Sequence, residues 1–145
     1  MVKVYVIGSL RNSRVPEFSS ELRMLGFDVF DDWFASGPEA DDKWRDYEQA
    51  RQHGFFDAIK GYAARSTFDF DFKHLNEADV VVLLLPAGKS GHMELGWAIG
   101  NGKPGYIVCD EYPERWDVLY CLATECFAGE ASFMAHMKGL YGGKA

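Results

Sequence analysis

The sequence predicts an α/β fold, a flavodoxin-like three-layer sandwich around a five-stranded parallel sheet in the order 2-1-3-4-5. Three observations carry that expectation. The runs VKVYVIG (2–8) and DVVVLLLP (79–86) are continuous β-branched and aliphatic stretches rather than alternating ones, as strands covered on both faces require. Helical patterns separate the strand-like runs, so β and α elements alternate, which implies a parallel sheet with right-handed crossovers. A chain of 145 residues has room for five such strands in one domain spanning 1–145, the scale at which this doubly wound order is built.

Taken in order, the first strand is expected at 2–8. Residues 15–25 (VPEFSSELRML) read as a helix ending at Gly26, a residue suited to the position after a helix. FDVFDDW (27–33) is the second strand. EADDKWRDYEQARQHGFFDAIKGYAAR (39–65) is a long, charged, amphipathic segment with Gly54 and Gly61 as breaks. FDFDFKHLNEAD (68–79) interleaves acids with aromatics. There Asp69 and Asp71 are expected just ahead of a short helical turn, one of them pointing inward, and Asp79 opens the third strand. Residues 91–101 form the next helix, closed by Gly102 with Pro104 beyond. GYIVCD (105–110) is the fourth strand, ATECFAG (123–129) a weaker fifth, and EASFMAHMKGLY (130–141) the last helix, with a frayed GGKA end. No internal repeat or low-complexity segment appears.

The net charge of −7 argues against a nucleic-acid polymer as partner, because backbone phosphates call for a basic face. A single nucleotide needs only a few local cations and N–H groups. Cys109, Cys121 and Cys126 form no C-x-x-C pair, so free thiols in a reducing cytoplasm are expected. The N-terminus MVKVYVIGSL lacks the features of a signal peptide, and no run reaches the ~20 apolar residues of a membrane span. Eleven Phe, seven Tyr and four Trp exceed what one small core easily hides, so some should line a pocket or a subunit interface. His53, His74, His92 and His136 lack metal-ligand spacing, and no G-x-S-x-G nucleophile elbow is present.

In the 2-1-3-4-5 order the chain reverses between the first and third strands, and ligands bind there, outside the carboxyl ends. The loops GSLRN (8–12) and PAGKSGHME (86–94) then face one another across a crevice. Glu94 sits almost alone among Met93, Leu95, Trp97, Ala98 and Ile99. One reading is a first-turn glutamate at the positive end of the helix dipole. With Gly91 as N-cap it would take the capping-box position, but glycine cannot reciprocate; with Ser90 as N-cap the box fails by one residue. The other reading is a functional carboxylate in the crevice. GSLRN is strand-to-helix punctuation, yet its N–H groups, the Ser9 hydroxyl and the Arg11 guanidinium also suit an anion. Lys89, Ser90 and the following helix start add to that set. Asp31 and Asp32 resemble the acidic pair of phosphoacceptor receiver domains, but that pair follows the first strand, and this chain has Pro86 where an Asp should end the third.

Together these residues resemble the nucleoside 2-deoxyribosyltransferase family and its nucleotide N-hydrolase relatives. SGHMELGWAIGNGKP is similar to the family's small-residue turn, catalytic glutamate, E-[LI]-G-x-A and closing G-K-P. YVIGSLRN is close to the Y-F-x-G-S-I-R opening of the 2′-deoxynucleoside 5′-phosphate N-hydrolases. Asp71 stands eight residues before Asp79, the family's offset for its site aspartate. PAGKSGHMELG also resembles the P-x-G-R-S-A-H-x-E-x-G stretch of CMP and hydroxymethyl-CMP hydrolases. The match runs from residue 3 to about 108, with 33–65 unmatched in detail.

The resemblance implies roles residue by residue. Glu94 would be the nucleophile at the anomeric carbon, forming a glycosyl-enzyme. Asp71 would orient the sugar or base, or protonate the leaving base, and Tyr5 would contact the sugar or hold Glu94. Ser9, Arg11, Ser90 and Gly91 would receive a 5′-phosphate through hydroxyl, guanidinium and backbone groups, and Gly8, Leu10 and His92 would also belong to the substrate-binding set. Asp32 and Trp33, with Trp44 and Tyr47, would either contact the base or pack the long helix. No metal and no redox cofactor are implied, and the assembly would be a homodimer or larger. Arg11 with Ser9 and Ser90 favours hydrolysis of a (deoxy)nucleoside 5′-monophosphate. The alternatives are base exchange on nucleosides and a non-catalytic nucleotide-sensing domain.

Overall fold

Five parallel strands form one sheet in a computed structural model that describes residues 1–110 and 112–142. They are β1 (Lys3–Ile7), β2 (Asp28–Phe30), β3 (Val80–Leu84), β4 (Gly105–Cys109) and β5 (Glu125–Ala128), in the order β2-β1-β3-β4-β5. That is the predicted order. The connecting helices are α1 (Val15–Met24), α2 (Ala40–Ala50), α3 (Phe55–Ala58), α4 (Tyr62–Glu77), α5 (Lys89–Gly100) and α6 (Glu130–Tyr141).

Successive strand side chains alternate between two cores. Val4, Val6, Val80, Val82 and Val108 pack with Phe18 and Leu22 of α1 and Phe133 and Met137 of α6. Tyr5, Ile7, Val81, Leu83 and Ile107 face the other way, against Leu75 of α4 and Leu95 and Ala98 of α5. Every residue of β3 is buried, which is why its sequence carries no polar alternation. Each such side chain contributes roughly 1.5–3 kcal/mol by leaving water, so the central strands hold the carboxyl-end loops on a stiff base. β1 aligns Tyr5 with Phe30 on one side and Val81 on the other.

Two expectations change. The segment 39–65 breaks at Gly54 and Gly61 as expected, each glycine preceding a helix start. Its last piece, however, does not stop at 65: α4 runs to Glu77. Asp69 and Asp71 therefore lie inside a long helix, not ahead of a short turn. The D-F-D-F alternation disguised a helical stripe of Phe68, Phe72 and Leu75, spaced for one helix face.

The second change concerns Glu94. α5 starts at Lys89 with Gly88 as N-cap, so Glu94 is in its second turn. Neither the capping-box nor the first-turn reading survives. Short 3-10 turns at Asp32–Ser36 and Val118–Leu122 complete the chain, and the second strand ends at Phe30 rather than reaching residue 33. Of the GGKA end, residues 143–145 lie outside the described residues.

Helix ends follow from single residues. Gly26 and Gly102 take φ of 98° and 84° just after α1 and α5, a backbone region that side chains resist. Lys103 donates its ammonium to the carbonyls of Asn76 and Ala78, capping the end of α4. The lysine of G-K-P thus ties α4 to the start of β4.

Candidate active site

Tyr5, Glu94 and Asp71 come together from three elements. Tyr5 is 1% exposed on β1, and its hydroxyl donates to Oε2 of Glu94 at 2.7 Å. α5 reaches it because Gly91 has no side chain: a Cβ there would lie 2.9 Å from Ile7 Cγ2 and 3.1 Å from Leu83 Cδ1. Gly91, Leu95 and Ala98 form the buried stripe of α5, and Glu94 sits at the edge of that stripe, one turn after Gly91. Its apolar neighbours anchor the helix; Glu94 itself meets the tyrosine.

Burial, with Asp71 adding to it against the opposing hydrogen bond from Tyr5, pushes Glu94 up to about 7. Burial also raises Asp71, while His74 opposes the rise. Burial first, and Glu94 second, hold the Tyr5 phenol far above its ordinary range, so Tyr5 stays a hydrogen-bond donor. Two carboxyl groups raised by burial, one of them to near neutrality with the other's charge acting on it, are suited to nucleophilic and acid–base work.

An aromatic wall backs this group. Phe30 lies 5.1 Å from the Tyr5 ring and stacks on His74 at 4.0 Å and 8°. Sequence reasoning missed Phe30 and His74. The signal for His74 was its place three residues after Asp71, visible only once 62–77 is read as one helix. Trp33 donates its indole N–H to the Val6 carbonyl at 2.8 Å and lies 3.6 Å from where a Cβ on Gly8 would stand, closing the end of β1. Asp31 pairs with Arg23 at 2.7 Å; Asp32 is exposed. Trp44 lines a separate cavity of about 380 Å³ between α2 and α3 with Glu48 and His53, and Tyr47 is exposed beneath the Arg51 guanidinium.

The loop after β1 is fixed at both ends. Ser9 Oγ accepts from the Arg11 N–H at 3.0 Å, and Gly8 and Leu10 are partly buried. Asn12, also missed, is 5% exposed; its side-chain amide donates to the Leu84 carbonyl and its oxygen accepts from the Arg14 N–H. That pins the loop to the end of β3. Arg11 is exposed, with its guanidinium 3.9 Å from Asp42 of α2. Opposite, Lys89 and Ser90 are exposed at the start of α5, where unpaired N–H groups favour an anion.

His92 turns the other way. Its Nδ1 meets the Gly88 carbonyl at 2.7 Å and its Nε2 the Tyr120 hydroxyl at 2.8 Å, so in the neutral ring Nδ1 carries the proton and Tyr120 donates. His92 and Tyr120 line a cavity of about 670 Å³ with Cys109, Asp110, Arg115 and Trp116. Cys109, Cys121 and Cys126 are free thiols. Among the described residues no group of three or more His, Cys, Asp or Glu side chains is placed to hold a metal. No helix of the described residues is long and apolar enough to cross a membrane.

No protein-family model matches the chain, and no curated protein matches it. Solved structures do. The chain is similar to a CMP N-glycosidase, BcmB, of Clostridium botulinum, at 13% identity and TM-score 0.56, covering 94% of this chain and 98% of that one. It is similar to a 2-deoxyribosyltransferase of the psychrotolerant bacterium Bacillus psychrosaccharolyticus, at 18% identity and TM-score 0.61, covering 92% and 90%. A conserved protein of Enterococcus faecalis matches at 15% identity and TM-score 0.64, covering 96% and 98%. At these identities the likeness establishes a shared fold over nearly the whole length of each chain.

Proposed function

We propose that this chain is an enzyme of the nucleoside 2-deoxyribosyltransferase family that cleaves the N-glycosidic bond of a nucleoside or nucleoside 5′-monophosphate. The observation that carries the reading is the partly buried Glu94 carboxyl, held by the Tyr5 hydroxyl at 2.7 Å with its pKa raised to about 7. The CMP N-glycosidase and the 2-deoxyribosyltransferase that share its fold support the same chemistry.

In the proposed mechanism ionised Glu94 attacks the anomeric carbon. The C–N bond breaks through an oxocarbenium-like transition state, and its electron pair leaves with the base. Asp71, raised by burial with His74 opposing, is the residue proposed to deliver the proton to that base. Water then attacks the glycosyl-Glu94 ester, losing its proton to Asp71, and releases the sugar. Tyr5 fixes Glu94 in line and stabilises its charge as the ester breaks. Ser9, Arg11, Ser90 and the α5 N–H groups would receive a 5′-phosphate, making the preferred reaction hydrolysis of a (deoxy)nucleoside 5′-monophosphate. The free thiols support a cytoplasmic setting, and self-assembly as a homodimer or larger is part of the proposal.

Incubation with a panel of nucleosides and monophosphates, reading free base by chromatography, tests the reaction. Wild type should release base, Glu94→Gln should not, and a quenched reaction should show the sugar's mass on the Glu94 peptide. Base release undiminished in Glu94→Gln would leave only a nucleotide-binding role.

One observation favours a second reading, base exchange on plain nucleosides: the Arg11 guanidinium already has Asp42 beside it at 3.9 Å. Arg11→Ala should abolish turnover of a monophosphate while sparing a nucleoside. Equal effects on both, with exchange when a second base is added, would favour the transferase.

A further inference from the structure

We infer that the cavity between α2 and α3 is a second ligand site, one that takes a neutral planar heterocycle with an N–H donor beside an acceptor. That is the edge every free nucleobase presents. The inference rests on the cavity's own chemistry and does not depend on the reaction proposed above.

α2 is built against the usual pattern. A surface helix buries an apolar stripe, yet the only buried residue of α2 is Glu48, 2% exposed. Asp41, Trp44, Arg45 and Glu48 recur at helical spacing and line one cavity of about 380 Å³, within the usual size of small-molecule sites. Gln52 at φ 65° and the extended Gly54 turn the chain back, so that Phe55 and Ala58 of α3 line the other side.

The cavity gathers hydrogen-bonding groups that the fold leaves unmet. Among the described residues three buried side-chain polar atoms lack a partner, and two of them, Trp44 Nε1 and His53 Nδ1, belong to residues lining this cavity. Glu48 Oε1 stands 3.6 Å from His53 Nδ1, beyond hydrogen-bond reach, and 3.3 Å from Arg51 Nη1. Unmet groups of this kind are costly. A ligand with an acceptor for the indole N–H and a donor for the Glu48 carboxyl satisfies both at once, and the imidazole can take either role.

Shape and charge narrow the class. Trp44, Phe55 and Ala58 give apolar, largely aromatic walls, and Phe55 is exposed, so a flat ring stacking there covers it. Asp41, Asp42 and Glu48 outnumber Arg45, which itself lies 3.6 Å from Asp42 and 3.1 Å from Asp46. A phosphate would meet acids and a cation already shared, whereas an uncharged ring meets no such opposing field. An ammonium, in turn, has no acceptor for the indole N–H. The cavity therefore fits a free base, not a nucleotide.

Two-dimensional NMR of the indole N–H groups in the full chain, titrated with adenine, cytosine and uracil in turn, tests the inference. The Trp44 signal, assigned through Trp44→Phe, should move downfield with at least one base as its N–H gains a partner. The Trp33 indole already donates to Val6 at the end of β1, so its signal reports on the Glu94 crevice instead. By calorimetry, Trp44→Phe should bind that base about 3- to 10-fold more weakly. Glu48→Gln keeps the shape but gives up a charge-assisted bond, and should also weaken binding; circular dichroism checks the folding of both. N,N′-dimethyluracil, a pyrimidine ring without an N–H, should leave the Trp44 signal in place. The inference is overturned if no base moves the Trp44 signal, if Trp33 moves in its place, if neither variant weakens binding, or if N,N′-dimethyluracil acts as the bases do. Base release by wild type, measured separately, reports on the reaction alone.

Discussion

Glu94 sets a conflict between stability and chemistry that can be measured. Its pKa is 4.5 in an ordinary setting and about 7 in the fold. Below pH 4.5 both folded and unfolded chains hold the proton and the residue costs nothing. As pH rises from 4.5 to 7 the unfolded chain gives up its proton first, so stability falls; above 7 the cost is complete, at most about 3 kcal/mol. Glu94→Gln keeps an oxygen for the Tyr5 hydroxyl and removes the charge. Denaturant melts should therefore show the variant about 2–3 kcal/mol more stable than wild type at pH 8 and little different at pH 4, while base release is lost. Tyr5→Phe tests the other half of the pair. The hydrogen bond lowers the Glu94 pKa, so its loss should move the acid limb of the kcat/KM profile to higher pH. Each unit moved costs about 10-fold at pH 6, with a smaller deficit at pH 9. A profile that keeps its limb and falls uniformly would mean Tyr5 acts on the sugar instead.

At the level of elements, α5 is seated by what it lacks. Gly91→Ala would set a methyl 2.9 Å from Ile7 and 3.1 Å from Leu83, forcing the helix start away from β1 and β3. The expected stability cost is about 1–3 kcal/mol. Turnover should fall further than stability, since displacements near 1 Å can cost about 100-fold in rate. A thermal melt beside a kcat measurement separates the two. The glycine was visible in the sequence, but its purpose was not. Placing the helix start at 91 made Gly91 a cap, whereas in the fold it is a packing contact and Gly88 is the cap. α4 was misread for a related reason. Period-two alternation over 68–71 hides the helical period there, so a helix shows only after Asp71, and the longer spacing from Phe68 to Leu75 restores it. By contrast β1, β3 and β4 were legible because strands buried on both faces leave no polar positions to confuse the pattern. Glu94 in the crevice followed from the topology, and Tyr5 beside it from the resemblance alone; Phe30 and Asn12 did not follow, because each acts through a neighbour distant in sequence, nor did His74, whose place on one helix with Asp71 was hidden.

For the whole molecule, charge decides how an anionic substrate arrives. The chain carries −7. After β1, Arg11 is shared with Asp42, while the Asp71 charge acts on Glu94. Short-range N–H groups at the start of α5 can hold a phosphate once it is seated, but the long-range field opposes its approach. Salt screens the second effect much more than the first, because the Debye length falls from about 30 Å at 0.01 M to about 8 Å at 0.15 M. KM for a nucleoside 5′-monophosphate should therefore drop roughly two- to threefold over that range, while KM for the uncharged nucleoside stays flat. The opposite slope, a monophosphate KM that rises with salt, would mean that Arg11 and Lys89 outweigh the acids and form a true phosphate-steering site. Parallel behaviour of nucleoside and monophosphate would leave the phosphate without a recognised place on the protein and favour the base-exchange reading.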